Sequence, residues 1–178
     1  MLKIIDGVSC MVVVDEAYID FSEGPGLLPI LDEKKNLVVL QTLSKAWGLA
    51  GIRLGMLFAH RELIGYLSAV KYPYNINSLT IEAAMVGLME TGKRSAWIRE
   101  ILEERDRMVK ELESLDFVMM VHPSDANFLL IRVDNPSELY QFLLNKGIIV
   151  RDRSRVPLCE GSLRITIGSK EENRALIR

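Results

Sequence analysis

The sequence predicts an α/β fold in its first half, followed by a long helix and a small α+β domain at the C-terminal end. Two unbroken apolar runs, residues 11–14 and 37–40, are typical of strands covered on both faces, which favours a parallel sheet. Apolar residues then recur at helical spacing from residue 78, and short strands and helices alternate beyond Ser114. We place the domain boundary after Gly92, which gives domains of residues 1–92 and 93–178.

The first half is predicted to bring two strands to one edge of a sheet. A short amphipathic lead precedes the first strand, and a short helix crosses between the first strand and the second. A third strand and a helix follow, and Pro73 interrupts that helix. The predicted bounds are 1–9 for the lead, 10–14, 37–41 and 53–59 for the strands, 27–34 and 61–70 for the helices, and 71–77 for the final loop.

The second half is predicted from one long apolar stripe and several short segments. Thr91-Gly92 is the expected break in the helical stretch, and residues 103–107 are interpreted as part of its solvated face. Gly147 stands where the C-cap of a short helix is expected. The stripe is Trp97, Ile101, Met108, Leu112 and Leu115; the predicted strands are 117–121, 127–133, 148–151 and 163–167, and the helix is 136–146.

Composition and charge indicate a protein that handles small molecules. The chain has 178 residues, 49% of them hydrophobic and 26% charged, with a formal net charge of -2. There is no basic stripe for nucleic acid, no polybasic membrane patch, no apolar run of about 20 residues and no secretory leader. We therefore expect a cytoplasmic protein with small-molecule partners, and neither a nucleic acid nor a membrane as a partner.

The cysteines and histidines do not predict a metal site. Cys10 and Cys159 are far apart and in no CxxC pair, and His60 and His122 are isolated. A bound metal and a disulfide framework are both unexpected.

Residues 42–55, TLSKAWGLAGIRLG, predict a reactive loop at the end of a strand. The polar start of this segment is followed by small residues and glycines that permit close backbone approach. Arg53 lies eight residues after Lys45, and the upstream apolar run ends in Asp15 and, shortly after, Tyr18. An amine, a guanidinium, a carboxylate at a strand end and a phenol are the groups that a pyridoxal phosphate site needs.

Each of these residue types suits one part of that cofactor. The Lys45 amine can hold the cofactor aldehyde as a Schiff base, and the Asp15 carboxylate can keep the pyridinium nitrogen protonated. Tyr18 can donate a hydrogen bond to the phenolic oxygen of the ring. The cofactor phosphate needs donors and positive charge, which Ser44, Arg53 and Thr42 can supply.

Three motifs carry a resemblance that covers essentially the whole chain. DEAYIDF, TLSKAWGLAGIRLG and RITIG, at residues 15–21, 42–55 and 164–168, together resemble the second half of a fold-type-I aminotransferase, specifically of the histidinol-phosphate aminotransferases. The resemblance implies that residues 1–92 form part of the large-domain sheet of a pyridoxal-phosphate transferase. It also implies pyridoxal 5'-phosphate as cofactor, Lys45 as catalytic residue and a homodimer. The implied reaction is a transamination between glutamate or 2-oxoglutarate and histidinol phosphate or imidazole acetol phosphate, in histidine biosynthesis.

The resemblance also implies a set of substrate-binding residues. Arg164 resembles the arginine that binds the carboxylate of glutamate or the phosphate of histidinol phosphate through two donors. Arg151 resembles its partner in binding the anionic end of the substrate. Asn127 matches a position near that pocket. Tyr74 and Asn75, which the residues alone could equally explain as turn chemistry, match a loop beside the active site.

The resemblance begins in the middle of the family's sequence. No residues before Asp15 correspond to four features of the family. These are the phosphate-binding turn, the aromatic ring that stacks on the cofactor, the asparagine that contacts the ring oxygen, and the tyrosine that one subunit contributes to the site of its dimer partner. We therefore expect the chain to represent the C-terminal half of such an enzyme, with weak cofactor retention and no detectable turnover alone.

Two alternatives stay open at this point. A threonine-phosphate decarboxylase shares the arginines that bind an anionic substrate, although residues 49–51, LAG, and the RITI segment favour the aminotransferase. The other alternative is a non-catalytic fragment that folds or dimerises.

Overall fold

A computed structural model describes all residues, 1–178, and they form two compact units, Met1–Ser95 and Ala96–Arg178. Each unit has its own sheet, three-stranded in the first and four-stranded in the second. The helices between residues 78 and 113 are broken at Glu90, immediately before the predicted break at Thr91-Gly92. The division into domains after Gly92 stays a prediction.

The first unit consists of three short strands with helices before and after them. Three single 3-10 turns lie in the connections, at Ile19–Phe21, Leu28–Ile30 and Ala50–Ile52. The elements are α1 (Leu2–Gly7), β1 (Val12–Asp15), β2 (Leu37–Thr42), β3 (Gly55–Ala59), α2 (Arg61–Val70), α3 (Ser78–Met89) and α4 (Thr91–Glu113), the last of which continues into the second unit.

The pairing in the first sheet brings three chain segments to one edge. β1 and β2 are parallel, with Asp15 opposite Leu40, so their carboxyl ends lie together as predicted. β2 and β3 are antiparallel, with Thr42 opposite Gly55, so the start of β3 returns to the same edge. The residues just after β1 and β2 and just before β3 are therefore neighbours.

Two expectations for this unit differ from the structure. Only one face of β1 is covered, because Ile5, Leu37 and Val39 form a buried cluster on that side while Val13 is 59% exposed. The helix predicted over residues 27–34 is only the 3-10 turn Leu28–Ile30 followed by further turns. Its backbone hydrogen bonds join residues three apart, as from the Leu31 N–H to Leu28 O at 3.2 Å and from the Lys34 N–H to Leu31 O at 3.3 Å.

The second unit is an antiparallel sheet packed on a helix. Its strand order is β4-β5-β7-β6. Alternate residues of the two central strands, including Leu129, Leu163 and Ile165, are buried in one cluster with Met108 and Leu112 from the predicted stripe on α4. The elements are β4 (Val118–Val121), β5 (Phe128–Val133), α5 (Pro136–Asn145), β6 (Arg151–Asp152), β7 (Ser162–Thr166) and α6 (Lys170–Ile177).

The strand predicted over residues 148–151 is shorter and later, because the preceding helix cap uses its backbone. Gly147 has a left-handed backbone, with φ +76°. The Ile148 N–H then donates to Leu143 O at 2.9 Å, closing the end of α5 instead of pairing in a sheet. Pairing begins only at Arg151.

The interpretation of residues 103–107 as a solvated face is wrong for Glu104, which is 6% exposed. Its carboxylate accepts hydrogen bonds from the Arg107 guanidinium and, at 2.8 Å, from Asn173 Nδ2. Asn173 Oδ1 in turn accepts the Gly168 N–H at 2.9 Å. The network ties α4 to the end of β7 and to α6, and the hydrogen bonds from Arg107 lower the pKa of Glu104 to about 2.

No helix of the structure is both long enough and apolar enough to cross a lipid bilayer.

We expect Glu104→Gln to lower the free energy of unfolding at neutral pH by about 1.5–3 kcal/mol, the range for a hydrogen bond to a charged group. The lowered pKa means that the Glu104 carboxylate stabilises the fold fully above its ordinary pKa of 4.5, and that this stabilisation is lost as the pH falls toward 2. The stability difference between wild type and Glu104→Gln should therefore shrink across that window. Urea unfolding at stepped pH measures it.

The matched control is Glu103→Gln, because Glu103 is exposed on the same helix. It should leave the free energy of unfolding almost unchanged at every pH. Equal effects of the two substitutions would show that the Glu104 network contributes nothing specific.

Candidate active site

The loop that carries Lys45 is anchored on both sides by buried side chains. Leu43 and Ala46 are 1% and 4% exposed, while Lys45 between them is exposed and Ser44 is half-buried. The Gly48 N–H donates to Lys45 O and the Leu49 N–H donates to Leu43 O, both at 3.0 Å. These contacts hold the loop in a tight turn that projects the Lys45 amine outward.

The Lys45 amine lies over an aromatic ring. Lys45 Nζ is 5.0 Å from the centroid of the Tyr18 ring and has no ion-pair partner. A cation is attracted to the face of an aromatic ring, and Tyr18 offers such a face to the Lys45 amine. An exposed lysine amine that has lost its proton can condense with an aldehyde, with release of water.

Two hydroxyls stand at the end of β2. Thr42 Oγ1 accepts the Ser44 N–H at 3.1 Å and lies 3.0 Å from Ser44 Oγ. The hydroxyls fix the chain direction just before Lys45. Because Thr42 Oγ1 also donates to Leu54 O at 3.3 Å, the Ser44 hydroxyl is the donor left for an anion.

Arg53 is held in an unusual backbone conformation at the start of the β3 segment. Its φ of 56° lies in the left-handed region, which costs energy for any residue with a Cβ. Its guanidinium Nη1 donates to Ala50 O at 3.0 Å. Strained residues of this kind cluster at functional sites.

The two acids that end β1 have different environments. Asp15 is exposed, and its carboxylate accepts the Ala17 N–H at 2.9 Å. Glu16 is buried and accepts the Leu27 N–H at 2.7 Å and Gln41 Nε2 at 3.0 Å. Asp15 is thus the carboxylate available to a ligand, and Glu16 is structural.

A cluster that the sequence did not predict surrounds this edge. The Arg94 guanidinium is 4.6 Å from the centroid of the Trp47 ring and forms an ion pair with Asp20. Trp47 follows Lys45 by two residues, and Asp20 follows Tyr18 by two. The only sequence signal for this cluster is that Asp20 lies in the DEAYIDF motif and Trp47 in the TLSKAWGLAGIRLG motif.

The second unit places the two predicted substrate arginines directly opposite each other. Arg151 of β6 pairs with Arg164 of β7, so their side chains share one face of the sheet. The Arg164 guanidinium lies 4.9 Å from the centroid of the Phe128 ring, and its buried Nε has no hydrogen-bond partner. Two like charges facing each other favour an anion as a ligand.

The other predicted substrate residues are less clearly placed. Asn127 is half-buried at the start of β5, where its carbonyl accepts the Ile167 N–H at 2.9 Å. Tyr74 is 94% exposed, and Asn75 accepts a hydrogen bond from Lys71 Nζ at 3.1 Å. The structure brings neither loop residue to the Lys45 segment, and all three roles stay predictions.

A groove in the second unit lies apart from the predicted substrate residues. A groove of about 530 Å³ in the second unit is lined by residues of the α5–β6 connection and of α6, and does not include Arg151, Arg164 or Asn127. No group of three or more His, Cys, Asp or Glu side chains is arranged to hold a metal ion.

The whole chain matches a family model. The description of that model is "Aminotransferase class I and II", and the match covers residues 1–178. The chain belongs to this aminotransferase family. The α/β class and the aminotransferase resemblance drawn from the three motifs are therefore confirmed, whereas the assignment of the chain to the C-terminal half stays a prediction.

The relatives of the chain include both aminotransferases and a decarboxylase. A histidinol-phosphate aminotransferase from Parabacteroides distasonis is 52% identical over 175 residues, 98% of this chain and 51% of the relative. The crystal structure of a histidinol-phosphate aminotransferase from Clostridium acetobutylicum has a TM-score of 0.89 at 27% identity, covering 99% of this chain and 55% of that one. An L-threonine-O-3-phosphate decarboxylase from Porphyromonas gingivalis has a TM-score of 0.86 at 28% identity, with 99% and 56% covered. The chain spans about half the length of the curated relatives it matches.

Arg53→Gly should separate stability from ligand binding. Relief of the left-handed strain and the entropic cost of glycine nearly cancel, so the free energy of unfolding should change by less than about 1 kcal/mol. Loss of the guanidinium should raise the pyridoxal phosphate concentration for half-maximal labelling by about tenfold, because a charge-assisted contact is lost. Urea unfolding and borohydride-fixed labelling measure the two quantities.

Leu158→Gly is the control for this substitution. Leu158 also has a positive φ, 67°, and is 94% exposed. It should show the same small change in stability with unaltered labelling. If Arg53→Gly labels as readily as wild type, Arg53 has no part in binding the phosphate.

Proposed function

We propose that this chain supplies the lysine-bearing part of a pyridoxal-phosphate-dependent aminotransferase of histidine biosynthesis. This enzyme transfers an amino group from glutamate to imidazole acetol phosphate, giving 2-oxoglutarate and histidinol phosphate, or runs in reverse. The observation that carries the proposal is the exposed Lys45 amine, held over Tyr18 at the edge where β1 and β2 end. Family membership supports the same reaction class.

The residues at this edge fit the proposed cofactor by type and by place. Lys45 would hold its aldehyde, Asp15 its ring nitrogen, and Ser44, Thr42 and Arg53 its phosphate, with Tyr18 near its ring oxygen. When bound, pyridoxal phosphate supplies an electron sink for bonds at the substrate α-carbon. The free Asp15 carboxylate and the exposed Lys45 amine support this assignment, because neither is engaged in an ion pair.

Lys45 would also move a proton in this mechanism. Its Nζ would accept the proton from the substrate α-carbon and then donate it to another atom within the same site. The anchored turn limits the positions that the amine can occupy, which is the positional control that proton transfer requires.

The substrates are proposed from the paired arginines. Both glutamate and histidinol phosphate carry anionic groups that a planar guanidinium can bind through two donors. Arg164 has a buried, unpaired Nε and Arg151 faces it, so an anion would satisfy both groups. Asn127, Tyr74 and Asn75 remain secondary candidates for substrate contacts.

The runner-up substrate is a phosphorylated amino acid that is decarboxylated. Structural likeness does not separate the two reactions, because the aminotransferase and decarboxylase structures match at similar TM-scores and identities. The relative that is 52% identical is named a histidinol-phosphate aminotransferase, which supports the aminotransferase.

A homodimer in the cytoplasm completes the proposal. α3 is mostly apolar, and Leu79, Val86 and Met89 on it are 75%, 63% and 77% exposed. Apolar helix surface of this kind is typically buried, so further protein surface is expected to cover it.

A segment exchange tests the activity. This chain replaces the matching segment of the Parabacteroides distasonis relative, and transamination of histidinol phosphate with 2-oxoglutarate is measured. We expect activity in the exchange protein and a loss of about 10²-fold or more in its Lys45→Ala variant, because proton transfer and cofactor attachment both fail. Borohydride reduction with pyridoxal phosphate followed by peptide mapping should label Lys45.

The parent relative and a Lys35→Ala exchange variant are the controls. Lys35 is an exposed lysine in a turn, so its removal should leave turnover near that of the exchange protein. Release of carbon dioxide from threonine phosphate without transamination would favour the decarboxylase. A stable exchange protein with neither activity would favour the non-catalytic alternative.

A further inference from the structure

We propose that Arg94 is a positioning residue that holds Lys45 in place against Tyr18 by linking the two segments that carry them. Its guanidinium stacks on Trp47 and pairs with Asp20. The inference rests on the proposed function of Lys45, and assigns Arg94 no contact with cofactor or substrate.

The Trp47 side of the link acts on the lysine loop. The Arg94 Cζ lies 4.6 Å from the centroid of the Trp47 ring. Trp47 stands inside the turn closed by the Gly48 N–H and Lys45 O. Because the turn spans only a few residues, fixing the Trp47 ring restricts the backbone directions open to Lys45.

The Asp20 side of the link acts on the tyrosine segment. Arg94 Nη2 donates to Asp20 Oδ1, and Asp20 lies in the 3-10 turn Ile19–Phe21, where Phe21 is 1% exposed. The Phe21 N–H donates to Tyr18 O at 3.0 Å. The Asp20 segment is therefore anchored in the core and sets the position of Tyr18.

Arginine is the residue type that can satisfy both contacts at once. The side chains of Arg94 and Asp20 are 25% and 18% exposed, so the ion pair is shielded from solvent on most sides. A planar guanidinium can stack on an aromatic face while its edge donates to a carboxylate, and an ammonium cannot. Arg94 Nε is buried without a hydrogen-bond partner, which indicates that stacking rather than a full set of hydrogen bonds holds the group.

The test measures how fast borohydride fixes pyridoxal phosphate on Lys45 of the 178-residue chain, as a function of cofactor concentration. Reduction makes the bond permanent, so weak binding suffices. We expect Arg94→Gln to lower the maximal rate at Lys45 by about threefold to tenfold, the factor equivalent to one cation–π contact. The half-saturating concentration should change little, and Arg94→Lys should recover only part of the rate.

A spectroscopic readout follows the link itself. In a Trp97→Phe background, Trp47 is the only tryptophan, since the chain has two. Arg94→Gln should make Trp47 fluorescence more accessible to acrylamide while urea unfolding still shows a folded chain. Should Arg94→Gln fail to fold, Asp20→Asn replaces it and is expected to give the same two changes.

Arg99→Gln is the matched control, because Arg99 is exposed on the same helix. It should alter neither the rate nor the quenching. If wild type labels Lys45 and folded Arg94→Gln labels it equally fast, the positioning role is overturned while the proposed function stands. If wild type is not labelled at Lys45, the proposed function fails and the positioning role fails with it.

Discussion

The parallel pairing of β1 with β2 is the constraint on which the candidate site depends. With Asp15 opposite Leu40, the carboxyl ends of the two strands must lie side by side, and the antiparallel return of β3 brings Arg53 to the same edge. A shift of the β1–β2 register by one residue would turn each β1 side chain to the other face of the sheet. The Asp15 side chain would then point to the other face of the sheet, away from the lysine loop. No local rearrangement of that loop could return the side chain to its present position.

The candidate binding residues of the two units include features that cost stability in isolation. Arg53 has a left-handed backbone, Lys45 is exposed without an ion-pair partner, and in the second unit Arg151 faces Arg164. The neighbouring structure compensates for them: Leu43 and Ala46 anchor the lysine turn, and Glu16 ties residue Leu27 to the end of β1. The candidate binding side chains thus stay accessible to a ligand because buried neighbouring residues hold the backbone around them.

The sequence predicted the local patterns well and the long-range contacts poorly. Apolar runs and a glycine-rich motif located the strands and the Lys45 loop, since these signals depend on neighbouring residues. The antiparallel direction of β3, the burial of Glu104 and the link through Arg94 depend on residues far apart in the chain, so no local pattern could indicate them. The roles of Asp15 and Arg53 were predicted from their chemistry and their positions at strand ends, whereas the role of Arg164 came from the resemblance to the family.

We propose that Asp15 at the end of β1 binds the cofactor ring. Thr42 and Ser44 at the end of β2, with Arg53 just before β3, bind its phosphate. The most direct measurement compares pyridoxal with pyridoxal phosphate in borohydride-fixed labelling of Lys45, for wild type, Asp15→Asn and Ser44→Ala. Asp15→Asn should weaken the two compounds by the same factor, because both contain the ring nitrogen, whereas Ser44→Ala should weaken only the phosphorylated compound. Equal weakening of both compounds by Ser44→Ala, or an effect of Asp15→Asn confined to pyridoxal phosphate, would contradict this division of the site.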